Sequence, residues 1–138
     1  MSKTYKVVLA SFIMLFLSAC ASGPPTQQQL ATADYGAPIS QKDAQDLATQ
    51  FLFRILKDPY SAQYQWGSFD QGWIREAPMH GGRLVFGYKL DVSVNAKNSY
   101  GGYGGFKPYT FVFYNGSIKT VYGQQELSSG TTYMGKIY

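Results

Sequence analysis

Four kinds of residue in this chain have the chemistry to act on something: one cysteine (Cys20), one histidine (His80), a few carboxylates, and the glycine run from Tyr100 to Phe106. One cysteine forms no internal disulfide, and with a single histidine it leaves too few soft ligands for a zinc site. His80 stands in Met79-His80-Gly81-Gly82, a loop signal. As a general base it needs a nucleophile and an orienting carboxylate. No spacing brings Asp70, Glu76 or Asp91 to it, and no Gly-x-Ser-x-Gly turn occurs. A solvated loop histidine is the expectation. Asp43 and Asp46 share one face at the start of a helix, where acids complement the dipole. Tyr100-Gly101-Gly102-Tyr103-Gly104-Gly105-Phe106 lacks the Gly-Lys-Ser/Thr that opens the helix of a phosphate-binding loop, and it runs through Lys107-Pro108 into a strand. These residues predict no catalysis, no metal and no cofactor.

The glycine run has another use. Tyr100, Tyr103 and Phe106 offer large ring area at low entropic cost, as binding loops do. Lys97, Asn98 and Lys107, with Asn95, stand beside them to hydrogen-bond a protein or glycan partner. Two readings stay open: the rings form a partner-binding surface, or they fold back on the sheet edge.

Cys20 sits at the end of a targeting segment. Lys3 and Lys6 precede an apolar run from Val7 to Leu17, which is short of the roughly 20 residues a membrane-spanning helix needs. Positive start, short apolar core and small residues make an export signal. Leu17-Ser18-Ala19-Cys20 resembles the lipobox of bacterial lipoproteins, whose cysteine sulfur receives a diacylglycerol before the signal is cut. The resemblance implies residues 1–19 as signal peptide and an acylated Cys20 holding the chain to a lipid bilayer, two or three acyl chains being needed for a stable hold. Ala21 and Ser22 follow, with no aspartate next to the cysteine. By resemblance to the enterobacterial sorting rule this favours the outer membrane, with the domain in the periplasm.

Removing residues 1–19 from the 138 leaves 119, and loses Lys3 and Lys6 from the 12 basic residues, so 10 basic face 8 acidic and the balance is +2. That charge is spread singly and leaves no nucleic-acid footprint. Residues 20–38, with Gly, Pro, Ser, Thr and three glutamines, read as a flexible tether reaching roughly 20–25 Å. Ser40 and Asp43 resemble a capping box. Ala44, Leu47, Ala48, Phe51, Leu52 and Ile55 then recur at helical period, and Pro59 ends the helix through Asp58.

From Leu84 to Asn95 the period is two, with Leu84, Phe86, Tyr88, Leu90, Val92 and Val94 on one side. Tyr109–Tyr114 and Ser117–Tyr122 flank Asn115-Gly116, a hairpin turn that predicts Phe113 opposite Ile118, Phe111 opposite Thr120 and Tyr109 opposite Tyr122. Gln63–Gly67 is a candidate fourth strand. The fold class expected is α+β: one N-terminal helix packed on a three- to four-stranded antiparallel sheet, in a domain over 39–122. Residues 123–138 form a tail that either docks as a short strand or stays loose, with partial order expected.

Leu56-Lys57-Asp58-Pro59-Tyr60-Ser61-Ala62, with Asn95-Ala96-Lys97-Asn98-Ser99-Tyr100-Gly101-Gly102-Tyr103 and Phe106-Lys107-Pro108-Tyr109, resembles a group of small bacterial exported proteins and lipoproteins. The group carries no settled activity, so the resemblance adds export and no reaction. The expected function is a non-catalytic binding or accessory module of the cell envelope, in contact with an envelope protein complex. The alternative is a glycan- or peptidoglycan-binding or hydrolase-inhibiting module.

Overall fold

The computed structural model describes residues 23–138, and Cys20 with the expected signal peptide lies outside the described residues. Residues up to Leu30 and residues from Ala31 onward form two separate units. In the first, Thr26 and Gln29 exchange hydrogen bonds, each amide donating to the other's side-chain oxygen at 2.8 and 3.2 Å. This reciprocal cap starts helix α1 (Gln27–Ala31), one turn inside the segment expected to be a flexible tether.

The second unit begins with chain that is held. Tyr114 Oη donates to Asp34, the Gly36 amide donates to Asp34 Oδ1 at 2.8 Å, and the Ala37 amide donates to Asn115 Oδ1 at 2.7 Å. The last residues of the expected tether are therefore docked on the β3–β4 turn described below. Helix α2 (Gln41–Ile55) follows, with Ser40 Oγ accepting from the Asp43 amide. Ala44, Ala48, Phe51 and Leu52 are buried as the periodicity predicts, whereas Ile55 is 45% exposed. The helix ends at Ile55, and Pro59 lies near the start of the first strand, an edge position where its missing amide costs nothing.

Five antiparallel strands stand in sequence order: β1 (Asp58–Arg75), β2 (Leu84–Lys97), β3 (Lys107–Tyr114), β4 (Ser117–Glu126) and β5 (Thr132–Lys136). A single 3-10 turn (Pro78–His80) lies between β1 and β2. The α+β class holds, with five strands in place of three or four. The fifth comes from the tail, and β1 is far longer than Gln63–Gly67. Two register shifts in β1, after Asp58 and after Trp66, reset which residues face the core, so no continuous alternation marks it in the sequence.

The hairpin turn is as expected, with Asn115 and Gly116 both at positive φ and Phe113 opposite Ile118. Beyond that pair, a bulge shifts the register by one. Thr120 faces Val112, Val121 faces Phe111 and Gly123 faces Tyr109, correcting the predicted Phe111–Thr120 and Tyr109–Tyr122 pairs. The bulge puts Val121 under Phe111 in the helix-side core and turns Thr120 to the other face, where it is buried beside Val112.

The helix-side core holds Phe51, Leu52, Leu90, Val92, Val94, Phe111, Phe113 and Val121. Each such side chain contributes about 1.5–3 kcal/mol by leaving water. Phe51 meets the Phe111 ring edge-on at 5.7 Å and the Tyr138 ring at 5.6 Å, tying helix, sheet and C-terminal residues together.

The other face is covered by the sheet itself. Neighbouring strands lie about 4.8 Å apart, so β1 and β5 of a flat five-stranded sheet would stand about 19 Å apart. Yet Glu76, one residue beyond β1, accepts from Lys136 Nζ of β5 at 2.9 Å. The sheet curls far enough for this side-chain ion pair to bridge its two edges. Gly87 permits the bend: a Cβ there would lie 2.3 Å from the Phe113 carbonyl oxygen and 2.7 Å from Val112 Cγ1. Arg83 Nε donates to the second Glu76 oxygen at 3.2 Å, and Glu76 is only 4% exposed. The hydrogen bond from Lys136 holds the Glu76 carboxyl below its usual range, with Arg83 adding to it against the opposing effect of burial.

Two outcomes follow. Gly87→Ala is expected to cost at least about 2 kcal/mol in urea unfolding, since backbone stands on the blocked side; a neutral result would contradict the close approach. Because the folded-state pKa of Glu76 is depressed, its contribution is full above the ordinary value of 4.5 and is lost as pH falls below it. Glu76→Gln is expected to lower stability at pH 7 by about 1–3 kcal/mol and to flatten the acid limb of stability against pH. An unchanged acid limb would show that the carboxylate carries none of it.

Candidate binding surface at the loop end

The residues expected to bind a partner lie at one end of the sheet, where β2 ends, β3 begins and α2 runs out. Asn98 shapes the loop. Its Oδ1 accepts from the Tyr100 amide at 2.9 Å and the Gly102 amide at 3.1 Å, and its own amide donates to the Gly102 carbonyl at 2.8 Å. Gly101 and Gly105 take positive φ, which side-chain-bearing residues rarely adopt. Asn98 is therefore a structural staple of the loop, with its acceptor oxygen already in use.

The three rings divide between the two readings. Tyr100 is 96% exposed and stands clear. Tyr103 is 47% exposed and partly folded back: its hydroxyl donates to the Ser61 carbonyl at 3.1 Å, and its ring lies 5.7 Å from Lys97 Nζ. Ser61 is the partner staple on β1, since its Oγ accepts from the Lys97 amide at 2.8 Å and donates to the Asp58 carbonyl. Phe106 is partly exposed.

Sequence reasoning missed two parts of this end. Phe53 and Tyr60, one on α2 and one on β1, form an exposed edge-on pair with ring centres 5.1 Å apart. Behind the loop lies a cleft of about 280 Å³, whose apolar wall includes Ile55, Val94, Ala96 and Tyr109 and whose rim carries Lys57, Lys97 and Lys107. Ile55 carries the helical period that marks core, yet it lines this cleft. Lys57 has no sequence signature, because its place depends on where the helix stops.

The remaining candidates are occupied elsewhere. Asp91, at the sheet centre, accepts from Thr110 Oγ1 at 2.7 Å, Ser68 Oγ at 2.9 Å and Lys89 Nζ at 3.0 Å, stitching β1, β2 and β3. Burial pushes its carboxyl up, and these donors outweigh that and hold it below the usual range. Glu76 is taken by Lys136 and Arg83. His80 is exposed in the 3-10 turn at the far tip of the β1–β2 hairpin. Among the described residues no three His, Cys, Asp or Glu side chains gather as a metal site, and no helix is long and apolar enough to cross a membrane. Cys20, the expected lipid attachment, lies outside the described residues.

No family model matches the chain, and neither a curated protein nor a solved structure shows significant similarity to it.

The division among the rings is measurable. Tyr100→Ala is expected to leave stability within about 0.5 kcal/mol, whereas Tyr103→Phe loses about 0.5–1.5 kcal/mol with its hydrogen bond and Asn98→Ala about as much. Urea unfolding of the three variants checks this; a Tyr100→Ala loss as large as that of Asn98→Ala would return that ring to the fold.

Proposed function

We propose that the chain is an outer-membrane-anchored lipoprotein whose domain acts, in the periplasm, as a non-catalytic binding or accessory module of the bacterial cell envelope, engaging an envelope protein complex through its loop end. One arrangement carries this reading: chain exit and exposed rings lie at opposite ends of the sheet. The segment from Asp34 to Ala37 is held at the β3–β4 turn, while Tyr100, Tyr103, Phe106, Phe53 and Tyr60 cluster where β3 begins. The eight residues of β3 separate the two ends by about 23 Å at the usual strand rise. A domain tethered at one end by an acylated Cys20 thus offers its aromatic end away from the lipid.

Large rings on a loop braced by Asn98 and Ser61 suit capture of a partner, because little order remains to be imposed on binding. Tyr100, Tyr103, Phe106, Phe53 and Tyr60 are exposed together at this end, and grouped exposed rings favour an interaction surface.

Two measurements test this. Cys20→Ala is expected to abolish lipid labelling and move the chain from the membrane to the soluble fraction; persistent labelling would sink the anchor. In-cell photo-crosslinking from position 100, the freest ring, is expected to give a discrete envelope-protein adduct. If adducts form only from the hairpin tip at Met79, the binding surface lies at the wrong end.

A further inference from the structure

Four cations among the described residues stand in ion pairs, and three lysines outside those pairs gather in one place. Lys42 meets Asp46, Lys89 meets Asp91, and Arg83 and Lys136 share Glu76. Lys57, Lys97 and Lys107 have no carboxylate within ion-pair distance among the described residues, and all three line the cleft at the end of α2. No acidic residue lines that cleft; Asp58, next to Lys57 and opposite Lys97 in the β1–β2 register, is outside it. With the described residues carrying a net +2, three lysines around one cleft against the single neighbouring Asp58 concentrate positive charge there.

The shape narrows the ligand. About 280 Å³ with an apolar wall of Ile55, Val94, Ala96 and Tyr109 suits one sugar or short side-chain unit and is too small for a helix. Tyr100 and Tyr103 stand on the adjoining loop, with flat faces for sugar rings to stack on. The rim is made of lysines, compact point charges without the planar fork of arginine, so it supplies charge attraction more than bidentate geometry. The site also lies at the end of the sheet remote from where the chain is held at Asp34 to Ala37, which disfavours the anchoring membrane as occupant.

We propose that this cleft binds a carboxylate-bearing glycan, such as a cell-wall polymer with free carboxyl groups, with Lys57, Lys97 and Lys107 pairing the carboxylates while the apolar wall and loop tyrosines take the ring bodies. The inference rests on the reading of this end as a binding surface and adds to the protein partner proposed for its rings a glycan ligand for its cleft. Attraction of this kind weakens with salt, since rim charges are screened over about 8 Å at physiological ionic strength.

Co-sedimentation of the full-length chain, in detergent, with isolated cell-wall sacculi tests it. Wild-type protein is expected to pellet, and the triple variant Lys57→Gln/Lys97→Gln/Lys107→Gln to bind about tenfold or more weakly, because charged hydrogen bonds are lost. Lys42→Gln, whose lysine is paired on α2, is expected to behave as wild type. Converting the sacculus carboxyls to amides is expected to weaken wild-type binding as the triple variant does, which keeps the test sound even if that variant folds poorly. Retention unmoved by amidation overturns the proposal. So does binding to vesicles of phosphatidylglycerol and phosphatidylethanolamine without binding to sacculi, an outcome that assigns the cleft to the membrane. If sacculi are not bound but crosslinking from position 100 gives a protein adduct, the glycan falls and the binding module stands; if both fail, both fall.

Discussion

A carboxylate with almost no access to water ties the two edges of this sheet together. Glu76 sits just past the end of β1, and its oxygens are held by Lys136 from β5 and Arg83 from the start of the returning chain. A charge taken out of water is costly unless paired, so this residue specifies the closed arrangement more than it adds to stability. Closure has a backbone requirement, met by Gly87, where no side chain fits against Phe113. It also has a consequence for packing. The helix dries one face of β3 and β4, and the folded-back hairpin dries the other, which is why Val112 and Thr120 are buried as deeply as Phe111 and Val121.

The two ends of the sheet carry different features. One end holds the incoming chain through Asp34, Ala37 and the β3–β4 turn. The other gathers the loop rings, the Phe53–Tyr60 pair and the lysine-rimmed cleft. The residues that give the loop its shape, Asn98 and Ser61, are distinct from those that face solvent, Tyr100 above all. The proposed binding function needs a rigid presentation of rings and charge. Asp91 and Glu76 are engaged in holding strands together.

Much of this was legible in the sequence wherever a single physical rule governs. Helical period found α2, alternation found β2, and Asn115-Gly116 found the hairpin turn, because each reflects a local constraint. The rest depended on constraints the sequence does not print. The bulge in β4 breaks the predicted register after one pair, since Val121 rather than Thr120 fills the core beneath Phe111. The long β1 escaped because two register shifts and the polar stretch at Ser68 to Gly72 erase its alternation. The fifth strand hides in a Ser/Gly/Thr-rich tail that pairs only because β4 presents an edge. The lysine cleft was half visible: Lys97 and Lys107 were singled out beside the loop, whereas Lys57 and Ile55 reach it only through the point where α2 stops.

The central claim is that one clasp, Glu76 with Lys136 and Arg83, holds the two edges of the sheet together. Amide hydrogen exchange of the full chain, wild type against Lys136→Met, tests it most directly. The account predicts that protection falls together at residues 74–76, 84–86 and 132–136, which the clasp unites, while the Asn98-braced loop is unchanged. Faster exchange confined to β5, with the hairpin tip as protected as before, would contradict it.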